Sequence, residues 1–126
     1  MISEADATDS REVCHAFAVV RVPFPFTDRL ASKRRPALVL SDRTRFNAPA
    51  GHAVMAMITS AGNPPWPMDV EIADLAAAGL PAPSKVRFKL FTLDLRLVRG
   101  ELGRLSADDE HRVRQALAGL LPDAAS

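Results

Sequence analysis

Proline and glycine punctuate this chain so closely that residues 16–104 leave no room for a long helix. Its 126 residues hold ten prolines and six glycines, and between them lie short apolar runs of strand length. Phe17-Ala18-Val19-Val20-Arg21-Val22 is rich in valine and ends at Pro23 and Pro25, where proline removes the next ladder donor. Pro36-Ala37-Leu38-Val39-Leu40 is continuously apolar, which predicts a strand buried on both faces. Residues 24–35 between them read as a loop long enough to carry function. A turn region over residues 43–51 holds Asn47, Pro49 and Gly51, and a third strand then runs from His52 to Thr59. That strand stops at "SAGNPPWP", a rigid loop presenting the only tryptophan, Trp66. Met68 to Ile72 alternates apolar residues with Asp69 and Glu71, the pattern of a half-buried strand with its acids outward. Residues 74–83 favour a short helical turn stopped by Gly79, Pro81 and Pro83, and two further strands are predicted over 85–92 and 95–104.

The last element is helical. Ser106 can cap it, Asp108, Asp109 and Glu110 suit the positive end of the helix dipole, and Val113, Ala116, Leu117 and Leu120 recur at helical spacing. Gly119 and Pro122 are expected to end it. Short strands followed by one terminal helix predict a mainly β protein: a small β-barrel or strongly bent sheet with the helix packed on it. The length suits one domain with its own core. Residues 1–15, polar, acidic and aperiodic, read as a flexible tail, and residues 16–122 as the folded domain. The single cysteine, Cys14, cannot form an intramolecular disulfide, and the sequence holds neither an apolar run of membrane-spanning length nor a charged-then-apolar leader. A cytoplasmic protein, with no membrane association, is the expectation.

Net charge is only +1, but it is segregated along the chain. Residues 17–46 carry seven Lys/Arg against two Asp, a net of +5, and residues 85–104 carry six Lys/Arg against two acids, a net of +4. The remaining segments are acidic. If the fold joins the two basic blocks, one face becomes cationic and suited to a nucleic acid or an acidic protein segment; a solvated charged face is the plainer alternative.

The motif search excludes more than it finds. There is no Cys/His pair at metal-ligand spacing, no nucleophile elbow and no phosphate-cradling glycine loop, and His15, His52 and His111 sit far apart in unlike contexts. No metal or cofactor is expected. What remains is arginine, a fixed cationic fork that matches phosphate. By the residues alone, Arg35 beside Lys33 and Arg34 is either a phosphate ligand or a solvated loop charge. Thr59 is either functional or a turn hydroxyl. Trp66 is either a stacking platform or a loop anchor, and Phe24 and Phe26 either stack bases or plug the barrel.

"VPFPFTDRLASKRRPALVLS" resembles the first motif of the MazF/PemK-like toxins, the ribonuclease components of bacterial toxin–antitoxin pairs. "AVMAMITS", "DVEI" and "LPAPSKVRFKLFTLDLRLVRGELGRLSADDEHRV" follow in the family's order, so the resemblance covers about residues 17–117. One departure stands out: the family usually enters its first strand through Gly-Asp, where this chain has Ala16-Phe17.

The resemblance implies an SH3-like β-barrel with a C-terminal helix, a homodimer, and metal-independent cleavage of single-stranded RNA by the 2′-hydroxyl. Carried over residue by residue, it implies Arg35 and Thr59 as the catalytic pair, with Ser60 as an adjacent catalytic or phosphate-binding alternative. It implies RNA contacts from Phe24, Thr27, Lys33, Arg34, Trp66 and Arg87, with Lys89, Arg96 and Arg99 adding to a phosphate-attracting face. It also implies a cognate antitoxin whose disordered C-terminal segment covers the basic groove. Two alternatives are a toxin of the same fold that binds DNA gyrase through its C-terminal helix, and a degenerate module that only binds RNA or antitoxin. The helix end, "LAGLLPDAAS", has no aromatic anchor and disfavours the gyrase reading.

Overall fold

The computed structural model describes residues 14–24 and 33–123. Six strands form one antiparallel sheet: β1 (Ala18–Pro23), β2 (Arg34–Val39), β3 (His52–Ser60), β4 (Val70–Glu71), β5 (Ser84–Asp94) and β6 (Glu101–Arg104). Their order is β4-β5-β3-β2-β1-β6, and the sheet curls into a half-barrel. Three helices punctuate it: α1 (Ala48–Ala50), α2 (Leu75–Ala78) and α3 (Ala107–Leu120).

Because successive strand residues face opposite sides, the sheet divides the apolar residues into two clusters. Val19, Leu38, Ala56, Ile58, Val86 and Phe88 face one side, where Val113 of α3 joins them fully buried and Ala116, Leu117 and Leu120 pack alongside. Val20, Val22, Ala37, Val39, Met55 and Leu93 face the other. The continuous apolar run in β2 has its reason here: Leu38 serves one cluster while Ala37 and Val39 serve the other. At the start of α3 the Ser106 hydroxyl accepts the amide of Asp109 at 3.2 Å, as the capping pattern predicts. Gly119 lies inside this helix, which runs on to Leu120 before Leu121 turns extended.

Other boundaries differ from those expected. Arg34 and Arg35 belong to β2 rather than to the preceding loop, because β1 reaches far enough to pair Val22 with Arg35 and Pro23 with Arg34. Residues 43–51 are helical: Asp42 accepts the amide of Arg45, a wide helical turn over Arg43–Asn47 follows, and α1 continues it to Gly51 in the left-handed conformation. Asn47 is buried there and donates through Nδ2 to the carbonyls of Cys14 (2.8 Å) and Ser41 (3.0 Å). Cys14, read as part of the tail, is fully buried in the second cluster, so ordered packing reaches back at least that far. Residues 95–104 are not one strand. The Asp94 side chain accepts the amide of Arg96 and starts a 3-10 turn over Leu95–Leu97, and the strand that pairs with β1 is Glu101–Arg104, extended by backbone hydrogen bonds of Arg99 and Gly100 with Arg21. No helix among the described residues is long and apolar enough to cross a membrane.

Candidate active site

β3 runs between β2 and β5, and its Met57 faces Ala37 on one side and Arg87 on the other. Moving two residues along each strand preserves the face. Arg35 on β2, Thr59 on β3 and Arg87 and Lys89 on β5 therefore share strand parity with the second apolar cluster, and they occupy the end of that face where the apolar residues stop. A cleft of about 220 Å³ opens there, lined by Phe24, Arg35, Met57, Ile58, Thr59, Arg87 and Lys89. Arg35 and Arg87 come from different basic blocks of the sequence. The fold brings the two together.

The cations of the cleft differ in their commitments. The Arg35 guanidinium lies over the Phe24 ring, 5.8 Å from its centroid. It makes no hydrogen bond or ion pair with any described residue. Arg87 is bound inside the protein, with Nε 3.2 Å from Asp69 Oδ1 and Nη2 3.0 Å from Oδ2 and 2.7 Å from the Pro64 carbonyl. Lys85, only 5 % exposed, reaches the same carboxylate at 3.0 Å and the Asn63 carbonyl at 2.8 Å. The register explains the cluster: Val70 faces Val86 and Glu71 faces Lys85, so the next antiparallel step sets Asp69 opposite Arg87. The hydrogen bond from Arg87, aided by that from Lys85, outweighs partial burial and lowers the Asp69 pKa from 3.8 to about 2.

Asp69 thus pairs with both cations, offsetting one of their two positive charges, and with them it ties down the proline-rich loop. It also accepts the Trp66 amide at 3.0 Å. Trp66 is 40 % exposed, and its ring centroid lies 4.7 Å from Lys89 Nζ and 5.5 Å from the Arg87 guanidinium carbon. Trp66 is therefore anchored by its backbone and held by cations while leaving part of its ring in solvent. Thr59 Oγ1 accepts a hydrogen bond from Asn63 Nδ2. The Ser60 hydroxyl, exposed, instead accepts the Gly62 amide at 3.3 Å.

Lys33 and Arg34 are exposed at the start of β2, beside the cleft rather than in its lining. Thr27 and Phe26 lie outside the described residues. Arg96 is not brought to the cleft: it pairs with Asp94, which faces His52 at the end of β3 opposite Thr59, roughly 23 Å along the strand. Arg99 turns back to the Arg96 carbonyl. Asp69, Lys85 and Asn63 were not anticipated as parts of the site. The alternation of Asp69 and Glu71 against Lys85 and Arg87 is a signal for the first two, legible once β4 and β5 are paired. Among the described residues no three His, Cys, Asp or Glu side chains are grouped so as to hold a metal ion.

Comparison with known proteins agrees with this architecture. The family model of PemK-like, MazF-like toxins of type II toxin–antitoxin systems matches residues 15–121. Among solved structures, a MazE-MazF complex from Deinococcus radiodurans aligns with a TM-score of 0.67 at 25 % identity, covering 87 % of this chain and 96 % of that one. An endoribonuclease from a mycobacterial species, solved in complex with its cognate antitoxin, aligns with a TM-score of 0.66 at 19 % identity, covering 86 % and 98 %. The Mycobacterium tuberculosis toxin MazF-mt6 gives 0.62 at 21 %, covering 81 % and 93 %. The last two likenesses speak to the fold alone. A search of curated proteins found no match. With the half-barrel, its terminal helix and residues 15–121 matched by one family model, the chain belongs to the PemK-like, MazF-like toxins of type II toxin–antitoxin systems.

Proposed function

We propose that this protein is a sequence-preferring endoribonuclease toxin that cleaves single-stranded RNA without a metal, through attack of the 2′-hydroxyl on the adjacent phosphate. The observation that carries the reading is the cleft itself. An arginine whose guanidinium makes no hydrogen bond or ion pair with any described residue and a threonine hydroxyl line one space of about 220 Å³, with an aromatic ring beside the arginine. In the reaction the O2′–P bond forms and the P–O5′ bond breaks, leaving a 2′,3′-cyclic phosphate and a 5′-hydroxyl. Negative charge builds on the non-bridging oxygens during this exchange. Arg35 stabilises that charge more than the ground state, and Thr59 donates a hydrogen bond to the same phosphate. Neither side chain is a base near neutral pH, so a water or a substrate group removes the 2′ proton, and a proton is delivered to the departing O5′.

Lys33 and Arg34, exposed beside the cleft, attract the RNA backbone; Phe24 and the solvent-facing part of Trp66 offer apolar surface to bases. Arg87 and Lys89 supply positive potential from the opposite wall. A cognate antitoxin, as in the MazE-MazF neighbours, would lay a disordered acidic and apolar segment along this cationic face, with the toxin acting as a homodimer in the cytoplasm. The gyrase-binding alternative uses the terminal helix, but the apolar residues of α3 are spent on the first core cluster.

The test is incubation of the purified protein with mixed-sequence single-stranded RNA in EDTA, followed by end-group analysis. Discrete cuts with 2′,3′-cyclic phosphate ends are expected, with Arg35→Ala slower by about 10²–10³-fold. Absence of cleavage, or parental rates in a folded Arg35→Ala variant, overturns the reading.

A further inference from the structure

The proline-rich loop does more than close the chain between β3 and β4. Its first residues are fixed from two directions. The Asn63 amide donates to the Ser60 carbonyl at 3.1 Å in a tight turn, and the Asn63 and Pro64 carbonyls are gripped by Lys85 (2.8 Å) and Arg87 (2.7 Å). Both cations are in turn held by Asp69. The Asn63 side chain therefore projects from a fixed backbone, and its one hydrogen bond among the described residues goes from Nδ2 to Thr59 Oγ1.

We infer that Asn63 is a positioning residue, which sets the direction of the Thr59 hydroxyl so that its hydrogen is presented to the substrate phosphate. This rests on the ribonuclease reading of the cleft. A hydroxyl has one hydrogen to give and two lone pairs to receive. An amide N–H occupying a lone pair leaves the Thr59 hydrogen free to point elsewhere, and the open side is the cleft that Thr59 lines. Without Asn63 the hydroxyl rotates, and its neighbouring carbonyls compete for the hydrogen. With an acceptor in place of the amide donor, the hydroxyl would turn away from the phosphate and give its hydrogen to that acceptor. Asn63 touches no reacting atom on this account; it acts through Thr59.

The inference distinguishes substitutions that ordinary loop stabilisation would treat alike. Asn63→Ala leaves the hydroxyl undirected and should lower kcat by about 10-fold with KM nearly unchanged, a loss of orientation rather than of a group. Asn63→Asp replaces the donor by a carboxylate, reverses the hydrogen bond and should lower kcat by about 10²-fold or more, as removal of a transition-state donor does. A carboxylate could also act merely by repelling RNA, so both variants are repeated in a Thr59→Val background. There the gap between Asn63→Asp and Asn63→Ala should shrink to about twofold, because the coupled partner is gone.

Four outcomes decide the matter, each scored on protein whose circular dichroism and thermal melt match the parent. A parent that cleaves no RNA overturns the ribonuclease reading and this inference with it. A parent that cleaves, with the two substitutions equal, overturns the inference alone. So does a gap that persists undiminished in Thr59→Val, since charge rather than hydroxyl direction would then be its cause. A gap in the parent that collapses in Thr59→Val establishes the positioning role.

Discussion

Phe17 sits in the left-handed region with φ 69°, a conformation that favours glycine, at the point where related toxins usually carry Gly-Asp. Its ring compensates: it is 3 % exposed within the first core cluster, and the Arg114 guanidinium lies 4.6 Å from its centroid. Losing the ring costs roughly 3–5 kcal/mol and relieving the backbone returns about 1–2. Phe17→Gly is therefore expected to destabilise the protein by about 2 kcal/mol in urea unfolding, despite introducing the conformationally easier residue. Asp69 governs pH behaviour by a similar local argument. Its pKa falls from 3.8 unfolded to about 2 folded, so between these values the unfolded chain binds more protons and stability rises with pH. The Asp69 contribution is complete above pH 4 and lost as pH drops through 2. Thermal melts from pH 5 to pH 2 should show this decline, and Asp69→Asn should be less stable at pH 5 yet show a shallower decline.

At the scale of elements, α2 rests directly on β6, and two glycines make the approach possible. A Cβ on Gly103 would lie 2.4 Å from the Ala77 carbonyl oxygen, and one on Gly79 would lie 2.0 Å from that of Leu102. Backbone atoms cannot yield as a flexible side chain can. Gly103→Ala should therefore cost about 1–3 kcal/mol by overpacking, read as a lower urea midpoint with unchanged m-value. The sequence assigned Gly79 a helix-stopping role, which its φ of 73° bears out, but nothing local announced that it must also admit a neighbouring strand. Asp109 shows the same limit. Its position in the first turn of α3 reads as a dipole partner, yet it is buried and accepts the amides of Ala73 and Asp74 at 3.1 and 2.9 Å, fastening the segment that leads into α2.

Across the whole molecule, the separated basic blocks meet because β2 and β5 both flank β3. If the exposed Lys33 and Arg34 act on the RNA backbone, affinity for a 2′-O-methyl RNA that cannot be cleaved should fall steeply with salt. Each alanine substitution should then reduce the slope of log K against log salt by about 0.7. Fluorescence anisotropy across a salt series checks this, and an unchanged slope in the double variant would remove both residues from the RNA path. What the sequence by itself determined is the set of properties carried by neighbouring residues: the Val-rich strands, the capped terminal helix, the charge blocks, and the ordered motifs that resemble one toxin family. Tertiary structure alone decided which charges remain available. Arg35, Arg87 and Arg96 are chemically identical, yet the guanidinium of the first has no hydrogen bond or ion pair among the described residues, that of the second is bound by Asp69, and that of the third is folded onto Asp94 at the far end of β3. Periodicity fixes the face of a residue, whereas its partner depends on register between strands distant in sequence, and that register is set only when the sheet assembles.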